Sequence, residues 1–211
     1  MKVLILPDWM TTPVMYNNIA EKLNAEVYTY EDSDLANRVV SLRKYLKKHE
    51  YECIVGFGIG AWLALSVAKD EKLILINPVL KGNITRLSSK FDKEGFEAMR
   101  VTQFSSTLIL KFLVGSWGNI TQELVKYFRT CDVDTETHIL YQMSSESLGD
   151  SFGANNVHTV IVSKGDKLCH DEQAKELAER MHANYVNDLK GGHLIIFDCP
   201  DDVVKEIKEA L

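Results

Sequence analysis

The stretch IVGFGIGAWLALSVA, Ile54–Ala68, passes from a β-branched run through three alternating glycines into a long apolar run. Ile54 and Val55 belong to ECIVGF (Glu52–Phe57), which predicts a buried strand. Gly56, Gly58 and Gly60 mark a tight strand-to-helix turn. The residues after Gly60 predict a helix that is apolar on every side and therefore buried. A buried strand feeding a buried helix is half of a βαβ unit, which requires further strands of the same kind.

Those strands are present. KVLIL (Lys2–Leu6), EVYTY (Glu26–Tyr30), KLILIN (Lys72–Asn77), VHTVIVS (Val157–Ser163) and NYVNDL (Asn184–Leu189) are short and built largely of β-branched residues, leucine and tyrosine. Continuous runs of this type are expected where helices cover both faces of a parallel sheet. Between them, PVMYNNIAEKLN (Pro13–Asn24) has proline at a helix start. DLANRVVSLRKYLKKHE (Asp34–Glu50) has Asp34 placed as an N-cap, and PDDVVKEIKEAL closes the chain as a helix. The fold class is α/β: a three-layer, mostly parallel sheet of about six strands. In such sheets, ligands sit at the carboxyl ends of the strands.

The alternation breaks between Pro78 and Asn156. Helices are predicted within KEGFEAMRVTQFSSTLILKFLVG, TQELVKYFRT and TETHILYQMSSESL. So long a stretch without a strand predicts a helical insertion. Residues 1–77 and 157–211 then form the core and 78–156 a lid. The insertion carries Phe96, Met99, Phe104, Leu108, Phe112, Trp117 and Tyr141. These either pack it onto the sheet or line an apolar pocket.

Composition narrows the function classes. The 211 residues are 45% hydrophobic and 26% charged, with a net charge of -6, as in an ordinary globular domain. Nucleic acid is not expected as a partner, because phosphate binding needs clustered positive potential. The densest basic run, RKYLKKHE (Arg43–Glu50), suits the dipole at a helix end. No apolar run is long enough to span a bilayer, and MKVLILP reads as a strand rather than a leader. Cys53, Cys131, Cys169 and Cys199 form no CxxC pair, so neither metal site nor disulfide framework is expected. A cytoplasmic location follows as an expectation, with the NIT sequons at Asn83 and Asn119 accidental. The sequence says nothing firm about oligomeric state.

The glycine turn has two chemical readings. A dinucleotide loop would need G-x-G-x-x-G after the first strand, but the third glycine position is Ala61 and the turn follows the third strand. No cofactor is implied. The other reading is a nucleophile elbow, whose apex residue is held in a strained conformation. Gly58 takes that conformation with little penalty but has no hydroxyl. Downstream, SKGDKLCHDEQAKEL places Asp166 after the fifth strand, and LKGGHLIIF places His193 after the sixth. An elbow, then an acid, then a histidine is the chain order of one triad architecture. There the carboxylate fixes the imidazole tautomer. Each residue also has a plain alternative, Asp166 as a helix cap and His193 as a hydrogen-bonded loop residue. Cys169 is expected to pack at a helix start, and nothing places Ser105, Ser106, Ser144 or Ser145 at an elbow.

On these residues the chain resembles the α/β-hydrolase superfamily over essentially its whole length. It is most similar to small lid-bearing carboxylesterases such as the pimeloyl-carrier-protein methyl esterases. The resemblance implies Gly58 at the nucleophile position, Asp166 as triad acid and His193 as triad base. It implies oxyanion donors at Trp9 and Ile59, and a small apolar acyl substrate, ester or thioester, near Trp9, Phe57, Phe104, Phe112, Trp117 and Tyr141. The oxyanion loop of such relatives often reads Gly-Trp-Gly; here Asp8-Trp9-Met10 keeps only the tryptophan. Three readings of the missing serine stand open. Gly58 replaces a natural serine; or the chain is a pseudo-hydrolase that binds a ligand; or His193 and Asp166 act as a plain acid–base pair in a lyase or isomerase. An inward-pointing Asp8 would oppose a developing oxyanion.

Overall fold

In a computed structural model, residues 1–80, 92–114, 121–145, 156–168 and 171–211 are described. Six strands form one sheet: β1 (Val3–Leu6), β2 (Ala25–Val27), β3 (Cys53–Phe57), β4 (Lys72–Ile76), β5 (Val157–Ser163) and β6 (Asn184–Leu189). The order is β2-β1-β3-β4-β5-β6, and every neighbouring pair is parallel. From β1 the chain moves outward to β2, then returns to β3 on the other side. The carboxyl ends of β1 and β3, with Leu6 beside Gly56, are therefore the switch point of the sheet.

The helices are α1 (Asn17–Leu23), α2 (Leu35–Leu46), α3 (Ile59–Val67), α4 (Lys93–Arg100), α5 (Gln103–Val114), α6 (Gln122–Thr130), α7 (Val133–Ser145), α8 (Asp171–Arg180) and α9 (Pro200–Ala210). Strand side chains alternate between two layers, as the pleat requires. Val3, Ile5, Val55, Ile74 and Ile76 pack with Ile19 of α1 and Val203 and Ile207 of α9. Leu4, Leu6, Ile54, Leu73 and Leu75 pack with Leu35 and Leu42 of α2, Leu63 and Leu65 of α3, and Leu177 of α8. Helix α3 is buried on nearly every side, which is why its sequence shows no polar face.

Local chemistry adjusts several expected boundaries. Pro13–Tyr16 forms a 3₁₀ turn ahead of α1 rather than one continuous helix. Strand β2 stops at Val27, although the Tyr28 amide still donates to the Ile5 carbonyl at 2.9 Å. The run expected as one helix from Lys93 to Gly115 is two. The Thr102 hydroxyl accepts from the Ser105 amide at 3.0 Å and so starts α5 afresh. Asp34 caps α2 as expected, accepting from the Asn37 amide at 3.0 Å. Helices α4 to α7 follow β4 with no strand among their described residues, and Phe96 of α4 meets Phe128 of α6 with ring centroids 5.0 Å apart. Asn83, Trp117, Asn119 and Cys169 lie outside the described residues, as do the side chains of Phe112, Ser144 and Ser145. Among the described residues no helix is long and apolar enough to cross a membrane.

Candidate functional site

The turn after β3 is sharp. Gly58 has φ 52° and ψ -114°, a region that side-chain-bearing residues enter only under strain. Its amide donates to the Ile76 carbonyl of β4 at 2.9 Å. Helix α3 begins at the next residue. A Cβ on Gly60 would come within 2.2 Å of the Leu6 carbonyl oxygen, so the bare glycine lets α3 lie against the end of β1. That close approach brings the loop after β1 onto the helix N-terminus.

The residue delivered there is Asp8, 4% exposed. Its Oδ1 accepts from the Ile59 amide at 2.9 Å and from the Trp9 amide at 2.7 Å. These are the two backbone donors expected for an oxyanion. Gly58 contributes no side-chain cap to α3; the carboxylate from the neighbouring loop supplies it, where the helix dipole favours negative charge. The Asp8 amide donates to the Tyr16 hydroxyl at 3.0 Å, and Thr11 Oγ1 donates to the Asp8 carbonyl at 2.7 Å. A Cβ on Gly58 would lie 1.8 Å from Asp8 Oδ1 and 2.2 Å from Oδ2. Asp8 therefore fills the volume that a side chain at the elbow apex would take.

The second carboxylate oxygen faces histidine. His193 Nε2 lies 2.9 Å from Asp8 Oδ2, and its Nδ1 lies 2.8 Å from Asp166 Oδ2. Asp166 Oδ1 accepts from the Leu168 amide at 2.7 Å. Burial opposes charge on His193, but the Asp166 and Asp8 carboxylates on its two nitrogens outweigh it. They hold the imidazole well above its ordinary pKa. The site is a buried Asp166–His193–Asp8 row, each end fixed by backbone amides.

The histidine loop is pinned by a residue the sequence reading left inside a strand. Asn77, at the end of β4, is 1% exposed with φ 45°. Its Nδ2 donates to the His193 and Gly192 carbonyls at 2.8 and 3.1 Å and to Ser163 Oγ at 2.9 Å. Its Oδ1 accepts from the Ser163 amide at 2.8 Å. Asparagine tolerates left-handed backbone better than most residues. Asn77→Ala is expected to lower stability by about 2–4 kcal/mol through unpaired buried groups, measurable by urea unfolding. A cost of about 0.5 kcal/mol or less, the size of a neutral surface change, would show that Asn77 does not hold the loop.

The remaining expected residues disperse. Trp9 is buried, and its Nε1 donates to the Glu136 carbonyl of α7 at 3.1 Å. Phe57 is enclosed in the core, edge-on to Tyr16 at 5.1 Å. Phe104 and Tyr141 are 79% and 65% exposed. Phe104 lines none of the described clefts, and Tyr141 lines one between α4 and α7 with Lys93, Asp134 and His138. A larger cleft of about 790 Å³ lies elsewhere, among Thr12, Met15, Tyr127, Ile196, Phe197 and Pro200. Asp8 and His193 themselves are not among its lining residues. Behind Tyr127, whose hydroxyl donates to Glu136 Oε1 at 2.7 Å, burial pushes the Glu136 carboxyl up. Asp8, Asn77 and Glu136 escaped assignment in the sequence. The available signal was a polar residue at the carboxyl end of a strand, present for Asp8 after β1 and Asn77 after β4.

The family described as "Alpha/beta hydrolase family" matches residues 6–206. No curated protein matches the sequence. Solved structures with a similar fold include the enol-lactonase from Burkholderia xenovorans LB400, at 14% identity and a TM-score of 0.77, covering 99% of this chain and 90% of that one. An esterase from Exiguobacterium antarcticum gives 14% identity and a TM-score of 0.68, with 99% and 91% covered. The type II thioesterase BorB from the borrelidin biosynthetic cluster gives 14% and 0.65, with 99% and 91% covered.

Proposed function

The chain belongs to the alpha/beta hydrolase family, and we propose that within it this protein has left covalent serine catalysis and binds a small apolar or acyl ligand. The observation that supports this reading is the position of Asp8. Its carboxylate takes the Ile59 and Trp9 amides on one oxygen and His193 Nε2 on the other. Ester cleavage through a serine needs those amides free for the oxyanion and that nitrogen free for the hydroxyl. A fixed negative charge where negative charge must develop opposes the reaction. Gly58 has no nucleophile to offer in exchange.

The ligand would lie in the cleft of about 790 Å³, a volume typical of small-molecule sites. Residues 78–156 would act as a lid over the strand ends, and the ester- or thioester-type chemistry of the family suggests an acyl compound. Cys53 and Cys131 are buried thiols, in keeping with a cytosolic location. The unmodified protein is expected to resist labelling by a fluorophosphonate probe and to leave p-nitrophenyl butyrate unhydrolysed beyond a heat-denatured control. Labelling or turnover would overturn the reading.

A second reading rests on the proton between His193 Nε2 and Asp8. With Asp166 behind it, His193 is placed for acid–base help, worth roughly 10²–10⁴-fold, in a lyase or isomerase step. Turnover by the unmodified chain that disappears in His193→Gln would select this reading.

A further inference from the structure

We infer that the Asp8 position is a carboxylate-recognition site occupied by the protein's own side chain, and that the ligand is a carboxylic acid that competes with Asp8 for it. This rests on the binding reading above and names the ligand's head group. Three donors converge on one planar carboxylate: two backbone amides on Oδ1, at 2.9 and 2.7 Å, and an imidazole nitrogen on Oδ2, at 2.9 Å. Two of the three are fixed by contacts that do not involve Asp8. The Ile59 amide is set by the Gly58 bend and by the packing of Gly60 against Leu6. His193 is set by Asp166 on its far nitrogen and by Asn77 on its carbonyl. The Ile59 amide at the N-terminus of α3, with a loop amide at Trp9 and a cationic imidazole beside it, attracts a carboxylate irrespective of the chain that carries it.

Size agrees with this assignment. With no side chain at residue 58, the space holds one carboxyl group, as the 1.8 Å overlap between a Cβ there and Asp8 Oδ1 indicates. The large cleft is walled by Thr12 and Met15, a few residues after Asp8, and by Ile196 and Phe197, a few residues after His193, and apolar contact for an acyl tail would come from there. Met10, two residues after Asp8, has φ 62°, an uncommon conformation for a side-chain-bearing residue. Because Asp8 is tethered, it competes at high effective concentration. Free carboxylates are therefore held weakly until Asp8 is removed.

The test titrates the full chain and its Asp8→Gly variant with sodium formate and sodium hexanoate at constant ionic strength. Melting temperature and the His193 imidazole NMR signals are the readouts. Asp8→Gly is expected to saturate with both anions, with affinity at least tenfold above that of the unmodified chain. Hexanoate should bind more tightly than formate, and saturation should disappear in Asp8→Gly with His193→Gln. A folded Asp8→Gly that gives no saturable response, or responds equally to chloride, overturns the inference. If Asp8→Gly does not fold, Asp8→Ala and the unmodified chain decide. Melting must rise saturably with hexanoate and not with hexanol, and the reverse overturns the inference. Binding of hexanol with rejection of hexanoate would leave the binding reading standing and remove this one. Fluorophosphonate labelling of the unmodified chain removes the binding reading itself.

Discussion

Gly58→Ser alone is expected to destabilise the protein and to leave it unreactive toward a fluorophosphonate, although it restores the residue type that the fold's chemistry calls for. Two costs combine. The apex backbone, at φ 52° and ψ -114°, costs a non-glycine residue about 1–3 kcal/mol. The new Cβ would stand 1.8–2.2 Å from all three atoms of the Asp8 carboxyl group, so Asp8 must leave His193, and breaking a buried pair costs roughly 3–5 kcal/mol. The paired change Asp8→Gly with Gly58→Ser keeps the backbone cost and still loses the Asp8–His193 pair, but it removes the collision at the elbow apex. It also frees the Ile59 and Trp9 amides and gives His193 Nε2 a hydroxyl. Fluorophosphonate labelling is therefore expected in the double variant and not in either single one. Equal labelling in Gly58→Ser would show that Asp8 does not hold the place. The mutual fit of Asp8 and Gly58 also bears on the origin of the glycine. A serine at residue 58 would collide with Asp8 where Asp8 now sits, so the two residues fit one another as they stand.

How much of this was legible in the sequence follows from what kind of physics fixes each part. The strands and their mostly parallel arrangement were legible because burial on both faces leaves continuous apolar runs such as Leu73–Ile76. Gly58, Asp166 and His193 could be singled out as candidates because a strand-to-helix turn and a chain order survive in one dimension. The meeting of Asp166 with His193 at 2.8 Å fits that order. Asp8 was legible only as a departure from a loop pattern. Its inward orientation depends on the contact between Gly60 and Leu6 and on the absence of a side chain at residue 58, and neither is local to Asp8. Asn77 was hidden for a similar reason. Its partners, Ser163, Gly192 and His193, lie 86 to 116 positions away. The aromatic residues of the helical segment misled because helical spacing does not say which side faces the sheet: Phe96 is fully buried while Phe104 is largely exposed.

His193→Gln is expected to cost about 3–5 kcal/mol of folding stability at neutral pH, whatever the protein's activity. The variant leaves Asp8 and Asp166 buried, close together and without the cation between them. The pH dependence separates this role from simple packing. His193 titrates near 6.5 when unfolded and well above that when folded, because the Asp166 and Asp8 carboxylates outweigh its burial. A group whose folded pKa is raised gives its full stabilisation below the unfolded value and loses it as pH rises through the folded value. The gap between the protein and His193→Gln should therefore be widest near pH 6 and narrow steadily on the alkaline side, read from urea midpoints between pH 6 and 10. As the imidazole loses its proton, its attraction for the Asp8 and Asp166 carboxylates weakens, and so does its attraction for any competing anion. A gap that stays constant across this range would mean that His193 is held by shape alone and that the charge on the row contributes nothing.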